Sequence, residues 1–386
     1  MKRVAIVAMV LFQVAFLVAA ECRLTSMAIA DGVVEYTLSN GVIAVKCVPE
    51  LSGLLSGFTS LAESREMIEP VQCTVKQDDL LPWRCQATLT GLRELVRGIK
   101  VSIYTRYLPQ SQTCNGEQAE LVLAGRGFYR WNINAVKRIV LRQGESRVRV
   151  TLTLTANEDI GQPLLLWLNG IARLGRNRDN ILLPVRNASE SRANLKMGTF
   201  TGAGVFVDWA APPQDIYAAP LASWIARCSP ERAGVLALKL PDRLLDGGVL
   251  VSWKHLTQAL HTAEAIFPPV CLKKGESWEC VYDCLYFPEL PGLRAVAGTY
   301  GLDWNGTELL VASAIPRPSG TIALRWRDQD GKEGTVGEYE LPALAPGKLA
   351  RLDIQGKMPS QDCVILGMLP ENQPFELPCL VRLVSQ

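Results

Sequence analysis

From Val33 onward the chain reads as a succession of short β-rich segments stopped by Gly, Pro, Asn or Asp, and this punctuation most constrains its fold. Val33 to Leu38 runs into Ser39-Asn40-Gly41, and Val42 to Val48 continues beyond. Asn-Gly between two such runs is the strongest short-range hairpin signal, because a tight hairpin turn needs positive φ at its centre. Gln143 to Ser146 forms another turn. Arg147 to Thr155 then alternates charged or hydroxyl residues with Val and Leu, the pattern of a sheet wet on one face. Long helical periodicity is scarce. Leu256 to Ile266 is the best candidate, and it reads equally well as a strand.

The N-terminus reads differently. Met1-Lys2-Arg3 is basic, Val4 to Val18 is apolar except for Gln13, and the small pair Ala19-Ala20 precedes Glu21. This predicts a secretory signal peptide over residues 1–20. The run is shorter than the ~20 residues that span a bilayer, and no second span follows. The expectation is a secreted or periplasmic protein with no membrane span once the signal is cleaved.

Export gives the 11 cysteines a meaning, since disulfides persist outside the cytosol. Three pairs are placed symmetrically about predicted turns: Cys73 with Cys85, Cys271 with Cys280, and Cys363 with Cys379. Cys22, Cys47, Cys114, Cys228 and Cys284 have no evident partner. The alternative is that several are simply small buried hydrophobes. No CxxC is present, and His255 and His261 are the only histidines. A metal site is therefore not expected, and no cofactor motif is visible. Lys and Arg total 40 against 38 Asp and Glu, with no basic run, which argues against a nucleic-acid partner. A composition 48% hydrophobic and 20% charged supports sizeable cores.

The β pattern breaks near Pro288 to Leu293, which divides the mature chain into residues 21–292 and 293–386. Strand candidates in the second part are Leu309 to Ala312, Thr321 to Arg327, Leu349 to Ile354, Cys363 to Leu369 and Leu380 to Val384. Their spacing favours a small immunoglobulin-like sandwich.

Four stretches of the first part carry a resemblance. They are LSNGVIAVKCVPELSGLLSGF, VKRIVLRQGESRVRVTLTLTANEDIGQPLLLWLNG, APLASWIARCSPERAGVLALKL and HTAEAIFPPVCLKKGESWECVYDCLYF. In order and spacing they resemble the galactose-mutarotase-like superfamily, over about residues 30–290. The resemblance implies an all-β chain: a large β-supersandwich followed by a small immunoglobulin-like β-sandwich. It also implies a sugar site in the larger part.

In the catalytic aldose epimerases of that superfamily a Glu is the base and a His the acid. Glu264 matches the Glu segment, while Asn169 stands near the position expected for His. Asn donates a hydrogen bond but does not transfer a proton at neutral pH. This departure favours carbohydrate binding, with a role accessory to glycan processing. The alternatives are a sugar-active epimerase- or lyase-like enzyme with Glu264 as base, and a structural envelope protein. Trp167 and Trp253 are the tryptophans best placed to stack on a sugar, among Trp131, Trp209 and Trp224 as well. His261, three residues before Glu264, is a candidate ligand contact, although a surface or hydrogen-bonded structural histidine is the plainer reading. Arg173 and Arg176 lie in RLGRNRD beyond the site strand and would form a basic lip for an acidic sugar; a solvated loop is the plainer reading.

Overall fold

The structure, a computed structural model, describes residues 21–68, 73–78, 81–87, 91–97, 101–102, 106–128, 131–171, 179–186, 200–208, 216–229, 231–254, 261–358 and 363–382. Among them there is no α-helix, only strands and three single 3-10 turns, so the chain is all-β. No helix among the described residues is long and apolar enough to cross a membrane.

Two large sheets dominate. The first has eleven strands, and its main path begins Arg23–Ala30, Val33–Ser39, Ile43–Val48, Leu54–Ser60, Gly91–Arg97. It continues through Leu165–Ile171, His261–Ile266 and Val249–Lys254 to Ile216–Ala218. The second has ten strands and begins Tyr107–Cys114, Gln118–Phe128, Trp131–Arg142, Arg147–Ala156, Ser277–Phe287. It ends with Val235–Lys239, Trp224–Cys228, Asn180–Val185, Gly204–Asp208 and Leu380–Val381.

The predicted hairpin at Asn40-Gly41 is present, and Tyr36 pairs with Cys47 across it. Gly41 has φ 85°, a conformation that strains any residue with a Cβ. Asn40 is buried, and its Oδ1 accepts the N–H groups of Val42 and Ile43. Its amide nitrogen donates to the carbonyls of Arg142 and Glu145, fastening this turn to the predicted turn at residues 143–146. The alternation in Arg147–Ala156 is also realised: Val148, Val150, Leu152 and Leu154 face the core, while Arg149 is exposed.

The two sheets face each other across one continuous apolar core that includes Leu38, Val45, Phe58, Leu121, Ile139, Val150, Leu168 and Tyr282. Each such side chain contributes about 1.5–3 kcal/mol on burial. One charged cluster lies inside this layer. Lys137 Nζ donates to Glu94 Oε2 at 2.8 Å and to the Gly53 carbonyl at 2.7 Å, and Tyr282 OH donates to Glu94 Oε1. Lys137 has no exposed surface, so the ion pair is tolerated only because each charge meets its counterpart and further polar partners.

The C-terminal part is a second sandwich of two four-stranded sheets. One holds Ala295–Ala297, Tyr300–Trp304, Glu308–Ser313 and Leu349–Asp353. The other orders Glu333–Leu341, Gly320–Arg327, Val364–Leu369 and Gln373–Leu377. With the short first strand set aside, this is an immunoglobulin-like Greek key of seven strands in sheets of three and four. Trp304 lies in its core and Trp326 packs against that core from a sheet face. A separate apolar cluster, including Leu285, Phe287, Leu290, Leu293, Leu310 and Ala312, binds the two sandwiches together. The chain then returns. Leu380–Val381 pairs in parallel with Val205 and Phe206 at the edge of the ten-stranded sheet.

The cysteine expectations fare unevenly. Cys271 is exposed whereas Cys280 is fully buried in the inter-sheet core, so the expected bridge between them is absent. Alternation along Ser277–Phe287 turns Cys280 inward. Cys73 pairs with Ala87, and Cys85 with Val75, so the two cysteines are not directly opposite. Cys363 and Cys379 fall two residues beyond the pair Ile365 and Leu377, and the Cys379 thiol donates to the Cys363 carbonyl at 3.7 Å, but the two are not bridged.

Candidate functional site

Three central strands of the eleven-stranded sheet build the site. Gly91–Arg97 pairs with Leu165–Ile171, which pairs with His261–Ile266, all antiparallel. The register places Arg93 opposite Asn169 and Asn169 opposite Glu264. Direct cross-strand partners project to the same face, so these three side chains form one row. Their sequence neighbours Leu92, Leu168, Ala263 and Ala265 belong to the inter-sheet core. Alternation therefore directs the row to the opposite, outer face.

The row is nonetheless buried: Arg93 is 2% exposed, Asn169 7% and Glu264 4%. Asn169 Nδ2 donates to Glu264 Oε1 at 2.5 Å, and Thr262 Oγ1 donates to the same oxygen at 2.7 Å. Thr262 lies two residues before Glu264 and so shares its face. Arg93 Nε and Nη2 and Asn169 Oδ1 have no hydrogen-bond partner among the described residues. A buried guanidinium and an adjacent buried amide oxygen in that state supply strong donors and an acceptor to whatever occupies the face.

Trp167 and Trp253 share this face. Trp167 is two residues from Asn169 on the same strand, and Trp253 pairs with Thr262. Both are half-buried. His261 is separated from them. Strand parity turns it to the inner face with Ala263, where its Nε2 lies 2.7 Å from Ser252 Oγ and 3.4 Å from Asp208 Oδ2. Ser252 Oγ also donates to Asp208. Serine and aspartate both meet the same imidazole nitrogen, so this cluster lacks the relay order of a nucleophilic triad. Arg173, Arg176, His255 and Trp209 lie outside the described residues, as does the Trp131 side chain; Trp224 is a core residue of the ten-stranded sheet.

Behind the row, Arg227 of the ten-stranded sheet donates to the carbonyls of Gly170 and His261. Burial lowers its pKa to about 10, opposed by the charges of Asp179 and Glu264, which favour the cation. The Arg227 cation thus stands across the sheet from the Glu264 carboxylate. Among the described residues, no group of three His, Cys, Asp or Glu side chains is arranged to hold a metal.

Arg93 is the residue that the sequence reading missed. The available signal is the neighbouring pair Arg93-Glu94 between the apolar residues Leu92 and Leu95 of the strand. Two adjacent charges put one on each face, so at least one must lie in the interior; here both are buried.

No family model and no curated protein matches the chain. Among solved structures it is similar to a galactose mutarotase-like protein from Clostridium acetobutylicum, 8% identical with a TM-score of 0.53, over 69% of this chain and 99% of that one. The fold is galactose-mutarotase-like. The chain is also similar to a TPR-domain containing protein from Parabacteroides distasonis, 11% identical with a TM-score of 0.51, over 69% of this chain and 49% of that one. A galactose 1-epimerase from Lactobacillus acidophilus is 13% identical with a TM-score of 0.45, over 70% of this chain and 99% of that one. Asn169 and Glu264 occupy adjacent central strands of one large sheet.

Proposed function

We propose that this is an exported carbohydrate-binding protein, accessory to glycan processing, whose site is the outer face of the eleven-stranded sheet around Arg93, Asn169 and Glu264. One observation carries the reading: three buried polar side chains stand in a cross-strand row, and Arg93 and Asn169 present polar atoms with no partner among the described residues. Sugar hydroxyls both donate and accept, so they match a guanidinium and an amide oxygen together. Trp167 and Trp253 flank the row with indole faces on which the C–H faces of a pyranose stack. The mutarotase-like fold supports a sugar as the ligand class, although one scaffold hosts many functions.

A second reading, an epimerase- or lyase-like enzyme with Glu264 as base, draws on the convergence of Asn169 and Thr262 on one carboxylate oxygen. Those donors fix the carboxylate in one orientation, as a base requires. Asn169 supplies no proton, so an acid would have to come from elsewhere. A glycan-array screen of the mature chain, run beside Glu264→Gln and Arg93→Met, tests both readings. Binding by the wild type and loss in both variants supports the site. Binding retained in both variants, or no glycan bound at all, overturns it. Turnover of a bound glycan, abolished by Glu264→Gln, selects the enzyme.

A further inference from the structure

Cys22 immediately precedes Arg23–Ala30, the outermost strand on one side of the eleven-stranded sheet. Cys114 closes Tyr107–Cys114, the outermost strand of the ten-stranded sheet. Both strands pair on one side only and are largely exposed. They are the edges at which a two-layer sandwich frays first.

At this corner the two cysteines meet. The Cys22 backbone N–H donates to the Gly116 carbonyl at 2.7 Å, and the Cys114 thiol lies 3.0 Å from the Cys22 carbonyl oxygen. Cys22 is buried with its thiol against the Leu141 carbonyl, whereas Cys114 is exposed. Burial and then the neighbouring Cys114 push the Cys22 thiol up to about 11. Cys47, Cys228, Cys280 and Cys284 are all buried at other positions in the sheets.

We propose that Cys22 and Cys114 form a disulfide that clamps the free edges of the two large sheets to each other. The proposal rests on the export reading, because a cytosol keeps thiols reduced. The oxidant is a disulfide donor, either a small molecule or an oxidoreductase. The accessible Cys114 thiol, on losing its proton, attacks a donor sulfur; the donor S–S bond breaks and one donor thiolate leaves. Cys22, deprotonated in turn, attacks the Cys114 sulfur and expels the second donor thiolate. One S–S bond forms and one breaks. The two protons end on the donor, which is reduced as the protein is oxidised. The pair is 92 residues apart, so the bond would close a long loop and restrict the unfolded chain strongly.

The full chain, equilibrated in glutathione mixtures from fully reduced to fully oxidised, is alkylated, digested and mapped by mass spectrometry. The expected product under oxidation is a Cys22–Cys114 linked peptide, lighter by two hydrogens than its parts. The oxidised wild type is expected to melt on the order of 5–10 °C above Cys22→Ser/Cys114→Ser in the same buffer. Alkylation of Cys114 at every glutathione ratio, or its linkage to a different cysteine, overturns the proposal. Export is read separately by N-terminal sequencing of the chain from cell fractions. Failure of that reading is therefore distinct from failure of the pairing.

Discussion

Asn169 and Glu264 face each other on adjacent antiparallel strands, amide nitrogen to carboxylate oxygen at 2.5 Å, and both are buried. Thr262 gives that same oxygen a second donor, at 2.7 Å. Asn169→Leu removes one donor and puts an apolar side chain against a buried carboxylate. The expected cost is about 1–3 kcal/mol in the free energy of unfolding, read by urea denaturation. Asn169→Ser/Glu264→Gln, which keeps hydrogen-bonding groups on both strands, is expected to lose less than Asn169→Leu. An unchanged midpoint in Asn169→Leu would mean that the contact carries no stability.

The Lys137–Glu94 pair makes a sharper test, since neither partner meets water. Lys137→Met leaves Glu94 and the Tyr282 hydroxyl to share a buried negative charge, at an expected cost of about 3–5 kcal/mol. Lys137→Met/Glu94→Leu removes both charges and is expected to recover most of that loss. A double variant no more stable than the single would show that Lys137 acts through packing alone.

Much of this architecture is legible in the sequence because it depends on local alternation. The Asn40-Gly41 hairpin and the half-wet strand after residue 146 follow from turn chemistry and a period of two. Glu264 and Asn169 are legible only through the resemblance. Nothing in the chain between residues 169 and 264 says that their strands are neighbours. Arg93 stays hidden for the same reason, since its partner in register is 76 positions away, at Asn169. His261 illustrates the converse. Proximity to Glu264 in sequence suggests a shared site, but an odd separation along a strand turns the two to opposite faces. The Cys271–Cys280 expectation fails for a different reason: Cys271 lies in no strand, and Ser277–Phe287 pairs with Arg147–Ala156 and Val235–Lys239 instead of folding back on the residues before its turn.

Alkaline solution probes the buried thiols. Burial pushes Cys47 up to about 12 and Cys228 up to about 12, against 9.0 for an ordinary thiol. A folded-state pKa above the unfolded one means the folded protein holds the proton more tightly. The associated stability is complete below the unfolded pKa and is lost as pH rises through the folded one. The expected thermal-melt profile is level between about pH 7 and 8.5 and falls from about 9 towards 12. Cys47→Ala lowers the plateau by leaving a cavity but makes the fall shallower. An equally steep fall in the variant would rule out Cys47 as a contributor.

Gly204 tests whether the returning C-terminus matters to the large sandwich. A Cβ there would run into the Cys379 carbonyl oxygen and the Val381 side chain. The same carbonyl accepts the Val205 N–H at 2.9 Å, and the parallel pairing of Val205 with Leu380 follows directly. Backbone on one side and a strand on the other leave little room to relax, so Gly204→Ala should dislodge Leu380–Val381 instead of merely crowding it. The expected loss is about 1–3 kcal/mol, as for other overpacked sites. Limited proteolysis separates the two ways of losing it. Release of the tail gives rapid cleavage after residue 377 while the rest of the chain stays intact, whereas general destabilisation gives cleavage throughout. Wild-type resistance in Gly204→Ala would mean that the returning strand adds nothing to the sheet edge it covers.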